Sequence, residues 1–390
     1  MNDIAAFDEL VRAADGAAAG YVAAIALPWP TAAHAALFDS AGETLVSTDA
    51  IAAGGLGAAV AAVRRFFATA WAPGDVAVTN DQDAGAATAC DLTAVTPVYL
   101  AGDAEPQFWA AVRAGIPDCG GWEIGGFSPQ AVDRWAEGAR FEAAKLVAAG
   151  RTRREVSDML MLNSRTPKLT LRSARALAAA AARFAQSAAG TVAPARDAKL
   201  ANIADALLAP ELERIDRAMT RLARRAGKGA AAAKTPFPEL ALDPVEVSVV
   251  PGNDGMTVAI AAPAIAPRPV NLAPGMAMEI VAAAVGAAMD LGSLRTGALR
   301  RRLRAEMPSP SLVSAPLPAP VCLGRPTTGA ALFAATIAAL AEAGIRADGA
   351  GLWRSYLAAQ GDVALDPATG KIAPARAAAI RKREAEEAAQ

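Results

Sequence analysis

The chain has 390 residues, long enough for two or three packed domains, and 54% of them are hydrophobic although only 5% are aromatic. Alanine supplies much of that fraction, so the composition favours helix and a core thin in large side chains. Lys and Arg number 38 against 39 Asp and Glu, a net charge of −1, which gives no electrostatic basis for nucleic-acid or anionic-membrane binding.

The N-terminus opens on Asp3, Asp8 and Glu9 rather than on a basic and then apolar segment, which argues against a secretory signal. Short strands and turns are expected first. His34–Asp39 and Glu43–Ser47 flank Ser40-Ala41-Gly42 as a hairpin. A helix is expected over Leu56–Trp71, with Val60, Val63 and Phe67 on one stripe and Pro73-Gly74 ending it. Strands follow at Asp75–Thr79, Leu92–Leu100 and Gln107–Ala114, and the glycines of Gly120-Gly121 and Gly125-Gly126 make a loop towards helices.

From Thr152 to Ala226 the pattern is helical. Thr152 with Glu155 reads as a capping box, and Pro210 stands where a second long helix could start. Leu208, Leu212, Ile215, Met219 and Leu222 repeat at heptad spacing, a face for packing on its own domain or for a partner helix. Residues 227–240 are basic and alanine-rich and form the expected linker. Strands Val245–Val250 and Met256–Ala261 lie either side of the turn Gly252-Asn253-Asp254-Gly255, with helices over Gly275–Met289 and Gly329–Ala343. The expected class is mixed α/β (α+β). Residues 1–226 form a strand-containing N-terminal domain with a long helical middle, 241–350 a smaller second α/β domain, and 351–390 a frayed helical tail.

Neither of the last two apolar helices is a bilayer span: Glu342 cuts one short and Glu279 lies inside the other. With Cys90, Cys119 and Cys322 odd in number and far apart, the thiols read as reduced and the chain as cytoplasmic. His34 is the single histidine, so neither a Ser–His nor a Cys–His pair can form without it, and its setting is that of a strand residue. Gly227-Lys228 is followed by Gly229 and lacks the upstream glycine of a phosphate loop, while Gly54-Gly55-Leu56-Gly57 lacks the strand–turn–helix spacing of a dinucleotide fold. No bound nucleotide is expected on this chain.

One stretch carries a signature. Gly74-Asp75-Val76 leads into Thr79-Asn80-Asp81, then Asp91-Leu92-Thr93-Ala94-Val95-Thr96-Pro97-Val98-Tyr99. In the same order come Ala36-Leu37-Phe38-Asp39 upstream, then Asp118-Cys119-Gly120-Gly121, Glu137-Gly138 with Arg140, and Asn163-Ser164-Arg165-Thr166-Pro167. A weaker echo follows at Ser311-Leu312, Pro318, Pro320-Val321 and Thr328. Together these resemble the hydantoinase B / 5-oxoprolinase / acetone carboxylase α-subunit family over roughly residues 20–345. The resemblance implies ATP-dependent opening of cyclic amides or carboxylation of ketones. ATP would sit on a separate hydantoinase A-like chain, and histidines and carboxylates of the B-like chain would hold a divalent metal. It also implies a longer chain, because the family's glycine-rich C-terminal third has no counterpart here.

The chain departs from the family at the chemistry. Thr88 replaces the histidine of the glycine-rich turn while Asp91 survives. Gly115 and Ile116 stand for paired histidines, Ala32 lies where an acid is expected, and Asn80-Asp81-Gln82-Asp83 replaces Asn-Asp-Pro-Tyr. The leading expectation is a non-catalytic or regulatory subunit, partnered by a hydantoinase A-like ATPase, a full-length B-like chain, or both. Two alternatives stay open. Cys90, Asp91, Asp118 and Cys119 offer a rebuilt thiolate–carboxylate zinc site for an active hydrolase or carboxylase subunit, or the scaffold binds a small molecule.

Overall fold

A computed structural model describes residues 3–26, 32–49, 51–195, 201–224, 227–235, 241–252, 254–291, 294–345 and 351–354, with a few isolated positions nearer the C-terminus. Residues 236–240 of the expected linker, Asn253 of the expected turn and nearly all of the expected tail lie outside these.

The first unit begins with α1 (Asp3–Ile25), where strands were expected. Leu10, Ala14, Ala17, Tyr21 and Ile25 are its buried stripe, and three-to-four spacing built partly from alanines is a weak signal to read in an alanine-rich segment. β1 (Ala33–Asp39) and β2 (Thr44–Ser47) form the expected hairpin, and α2 (Ala52–Phe67) follows. β3 (Val76–Thr79), β4 (Asp91–Val98), β5 (Phe108–Gly115), β6 (Ala144–Ala148) and β7 (Arg151–Thr152) complete a sheet ordered β2-β1-β5-β4-β3-β6-β7. Every pairing in it is antiparallel.

Strand side chains alternate between the two faces. Ala35 and Leu37 face the core shared with α1 and α4, while Ala36 and Phe38 face the core under α2. Pro97 sits inside β4 without breaking a ladder on that side. β3 pairs with β4 only through Thr93, Ala94 and Val95, and Thr96 Oγ1 instead donates to Asp75 O at 2.7 Å.

α3 (Arg154–Leu162) and α4 (Pro167–Val192) follow. The capping box is not formed: Arg153 is the N-cap without a side-chain cap bond, Thr152 pairs in β7, and Glu155 accepts from Arg153 Nε at 2.7 Å. Pro210 is also placed differently, inside α5 (Ala201–Ala223). A proline removes one helical hydrogen bond, and burial on both sides holds this helix together. Leu207 and Leu208 enter the core of the first unit, whereas Ile215, Ala218 and Met219 enter that of the second. The heptad face is therefore an internal bridge and not a partner surface.

The second unit holds β8 (Gly229–Ala233), β9 (Val245–Pro251), β10 (Met256–Ala261), α6 (Met276–Ala288), the short α7 (Ala298–Arg301), β11 (Leu303–Glu306) and α8 (Thr328–Glu342). Its sheet runs β11-β10-β9-β8, with β10 and β11 parallel and the other pairs antiparallel. β8 falls inside the expected linker; five residues of glycine and alanine carry no strand propensity, and pairing with β9 decides their conformation. Val245, Val247 and Val249 of β9 alternate inward against the buried faces of α6 and α8. Among the described residues, no helix is long and apolar enough to cross a membrane.

Candidate functional site

The chain between β3 and β4 is held by one amide side chain. Buried Asn80 donates through Nδ2 to Ala89 O and Ala139 O, both at 2.7 Å, and its Oδ1 accepts from Phe141 N at 2.9 Å. Beside it Asp81 takes the guanidinium fork of Arg140 on both oxygens at 2.9 Å. Asn80-Asp81 and Arg140, which belong to two widely separated family blocks, thus make one joint between loops.

The positions where the resemblance places metal-binding histidines come together at the head of β4 and β5. Asp91 lies opposite Gly115 in the register, and Ile116 N donates to Cys90 O at 2.8 Å. Thr88 and Ile116 are buried. The Asp91 carboxylate turns back on its own loop, where Oδ2 accepts from Ala87 N at 3.0 Å and Thr88 N at 3.2 Å.

Of the four residues of the rebuilt-site expectation, two converge. Cys90 Sγ and Cys119 Sγ are 3.1 Å apart and both are free and buried. Contact with Cys90, then burial, pushes the Cys119 thiol well above its ordinary pKa. Asp118 has no exposed surface; its Oδ1 accepts from Gly125 N at 3.2 Å and Arg165 Nη1 at 2.9 Å, and its Oδ2 from Arg165 N at 2.7 Å. Asp118 is held on both oxygens and Asp91 on Oδ2, and among the described residues no third His, Cys, Asp or Glu joins the two sulfurs as a zinc site requires. Among the described residues no three His, Cys, Asp or Glu side chains are placed to hold a metal. The residues at both positions do not fit a divalent ion.

A groove of about 620 Å³ opens over this region, lined by Cys119, Trp135, Gly138, Arg140, Leu162 and Arg165. Trp135 and Leu162 are 64% and 84% exposed, which makes its rim apolar. Asp81 and Asp118 pair with its two guanidiniums.

Sequence reasoning missed the seam behind the groove. Arg134 is almost wholly buried, donating to Ala319 O at 2.8 Å and Ala315 O at 2.6 Å and pairing with Asp83 at 2.5 Å. Glu137 Oε1 accepts from Val321 N at 2.5 Å and Cys322 N at 2.8 Å. Burial raises its pKa from 4.5 to about 7 against the opposing pull of those two amides and of Arg134. A single long-range signal existed: Glu137-Gly138 and Pro320-Val321 are both family blocks, and the structure joins them. His34, in β1 opposite Arg113, is buried as a strand residue.

The model of the hydantoinase B/oxoprolinase family matches residues 32–365, and the chain belongs to that family. It is 33% identical over 132 residues to the caprolactamase subunit beta of Pseudomonas jessenii, and 37% identical over 78 residues to a 5-oxoprolinase of Pestalotiopsis fici. These stretches are 33% and 20% of this chain and span 22% and 6% of those relatives. The ATP-dependent caprolactamase structure from P. jessenii matches with a TM-score of 0.75 and 23% identity, over 88% of this chain and 60% of that one. Nucleotide-free acetone carboxylase matches with a TM-score of 0.73 and 14% identity, over 91% of this chain and 48% of that one. These two likenesses establish the fold.

Proposed function

We propose that this hydantoinase B/oxoprolinase family member is a non-catalytic or regulatory subunit of an ATP-dependent complex that opens a cyclic amide or carboxylates a ketone. One observation carries the reading. Where the family resemblance calls for metal-binding histidines, the head of β4 and β5 presents Thr88, Gly115 and Ile116 around an Asp91 that is bonded to backbone amides. A buried hydroxyl, a hydrogen and an alkyl chain offer no strong ligand, so a metal-activated water or substrate would have to come from another chain.

The same reading assigns ATP to a hydantoinase A-like partner, with or without a full-length B-like chain, because this sequence has no phosphate loop. The names of the relatives support assembly, since one is a caprolactamase subunit. The rim of the groove favours a second reading, in which the scaffold binds a small apolar molecule without transforming it.

The test is co-expression with a hydantoinase A-like ATPase and a full-length B-like chain, followed by size-exclusion chromatography and mass spectrometry. A stable hetero-oligomer is expected. The isolated chain should bind no ATP by calorimetry and carry substoichiometric metal by elemental analysis. A monomer that ignores both partners yet turns over a cyclic amide or ketone with ATP would sink the proposal.

A further inference from the structure

The Cys90–Cys119 contact stands apart from the proposed subunit role and from the metal question. Cys90 ends the loop before β4, and Cys119 follows β5 on a segment pinned by Asp118 to Arg165. A glycine lies beside each sulfur and leaves room for it. A Cβ on Gly126 would lie 2.7 Å from Cys90 Sγ, and one on Gly138 would lie 2.7 Å from Cys119 Sγ. A larger residue at either position would displace one sulfur of the pair. Cys119 is buried but is one of the residues lining the groove, which makes this the side from which a small reagent would approach the pair. Cys322 is a built-in control: it is buried with Phe127 and Leu323, and its sulfur accepts from Ser128 N at 3.3 Å.

We propose that Cys90 and Cys119 are a redox pair that closes to an intramolecular disulfide under peroxide and reopens under a thiol reductant. The sulfurs, now 3.1 Å apart, must approach to the ~2.05 Å of a disulfide, a shift of about 1 Å. Cys119, the thiol on the groove side, loses its proton and attacks the peroxide oxygen. The O–O bond breaks, one water leaves, and Cys119 becomes a sulfenic acid. Cys90 then attacks that sulfur, the S–O bond breaks, the second water leaves, and the disulfide forms. Two thiols are oxidised by two electrons and one peroxide is reduced to two waters. Closure fastens the loop before β4 to the Asp118-Cys119 segment that Arg165 holds, under one wall of the groove.

The experiment uses the full chain treated with hydrogen peroxide, quenched, unfolded, alkylated and measured by intact mass and peptide mapping. Expected are one alkylatable thiol, Cys322, a mass lower by two hydrogens, and a cross-linked pair of peptides holding Cys90 and Cys119, all reversed by dithiothreitol. Cys322→Ala should retain the cross-link, and Cys119→Ala should abolish it and leave Cys90 alkylatable. Should the variant fail to fold, the wild-type map alone decides. Three alkylatable thiols after treatment, sulfinic acid on Cys119 without a cross-link, or a stoichiometric metal held by the reduced pair would each overturn the proposal.

Discussion

The head of β4 and β5 and the seam between the two units both enclose polar groups, yet they are built in opposite ways. At the strand head one acid, Asp91, is satisfied by its own loop, and its neighbours Thr88, Gly115 and Ile116 bring no charge. At the seam, charges reach across. Arg134 and Glu137 of the first unit hold the backbone from Ala315 to Cys322. Glu211 in α5 takes Arg295 N at 2.7 Å and Thr296 Oγ1 at 2.6 Å, while Arg295 pairs with Asp15 at 2.8 Å. An idle buried carboxylate costs desolvation energy, so a region without ligand work gains by shedding charge. A joint between two cores keeps it, because each charge there has a protein partner across the seam.

That contrast breaks most readily at Arg134. Arg134→Met would leave Asp83 and two carbonyls without their donor and should cost about 3–5 kcal/mol in urea unfolding. A loss under about 1 kcal/mol would show that the seam is ornamental. Next comes α5. Ile215 has no exposed surface in the second core, so Ile215→Ala should cost about 2–5 kcal/mol. Ile215→Glu should give insoluble or unfolded protein, where a partner-surface role would leave a folded monomer.

Glu137 sharpens the comparison through pH. Its folded pKa, about 7, lies above the ordinary 4.5, so the folded state holds the proton more tightly than the unfolded chain. The stabilisation this confers is complete below the unfolded value and is lost as pH rises through the folded one. Between about pH 4.5 and 7 Glu137 should therefore remove up to about 3 kcal/mol. Glu137→Gln should flatten that part of the stability–pH curve relative to wild type, and superimposable curves would refute the assignment.

Five strands of the first sheet were legible because they alternate and their turns carry glycine, while β6 and β7 were not expected and Thr152 was read as helical. The expected strands at Asp75–Thr79, Leu92–Leu100 and Gln107–Ala114 differ from β3, β4 and β5 by a residue or two at their ends. Alanine hid the rest: α1 and β8 are decided by what they pack or pair with rather than by a periodic pattern. Pro210 misled because a proline inside a helix is held there by two cores that lie far apart in sequence. The Cys90–Cys119 approach was anticipated only as half of a four-residue zinc site. The capture of Asp118 by Arg165, 47 residues away, was not, since no local spacing encodes it.

The smallest expected effect is at Asp91, and it tests the quiet half of the contrast. Asp91 Oδ2 accepts two amides of the loop that precedes it, a local turn that an asparagine Oδ1 can also accept. Asp91→Asn removes the charge and keeps the acceptor, so it should cost no more than about 1 kcal/mol. A chelator should then leave the melting temperature of wild type and variant alike unchanged. If Asp91 instead anchored a divalent ion, both treatments would act on one equilibrium. Binding to the folded state alone adds RT ln(1 + [L]/Kd), about 2.7 kcal/mol at a hundredfold excess over Kd, and chelation would remove it. Thermal unfolding with and without chelator, run on both proteins, separates the cases. A drop of several degrees in wild type that Asp91→Asn abolishes would return the metal to the head of β4 and end the non-catalytic reading.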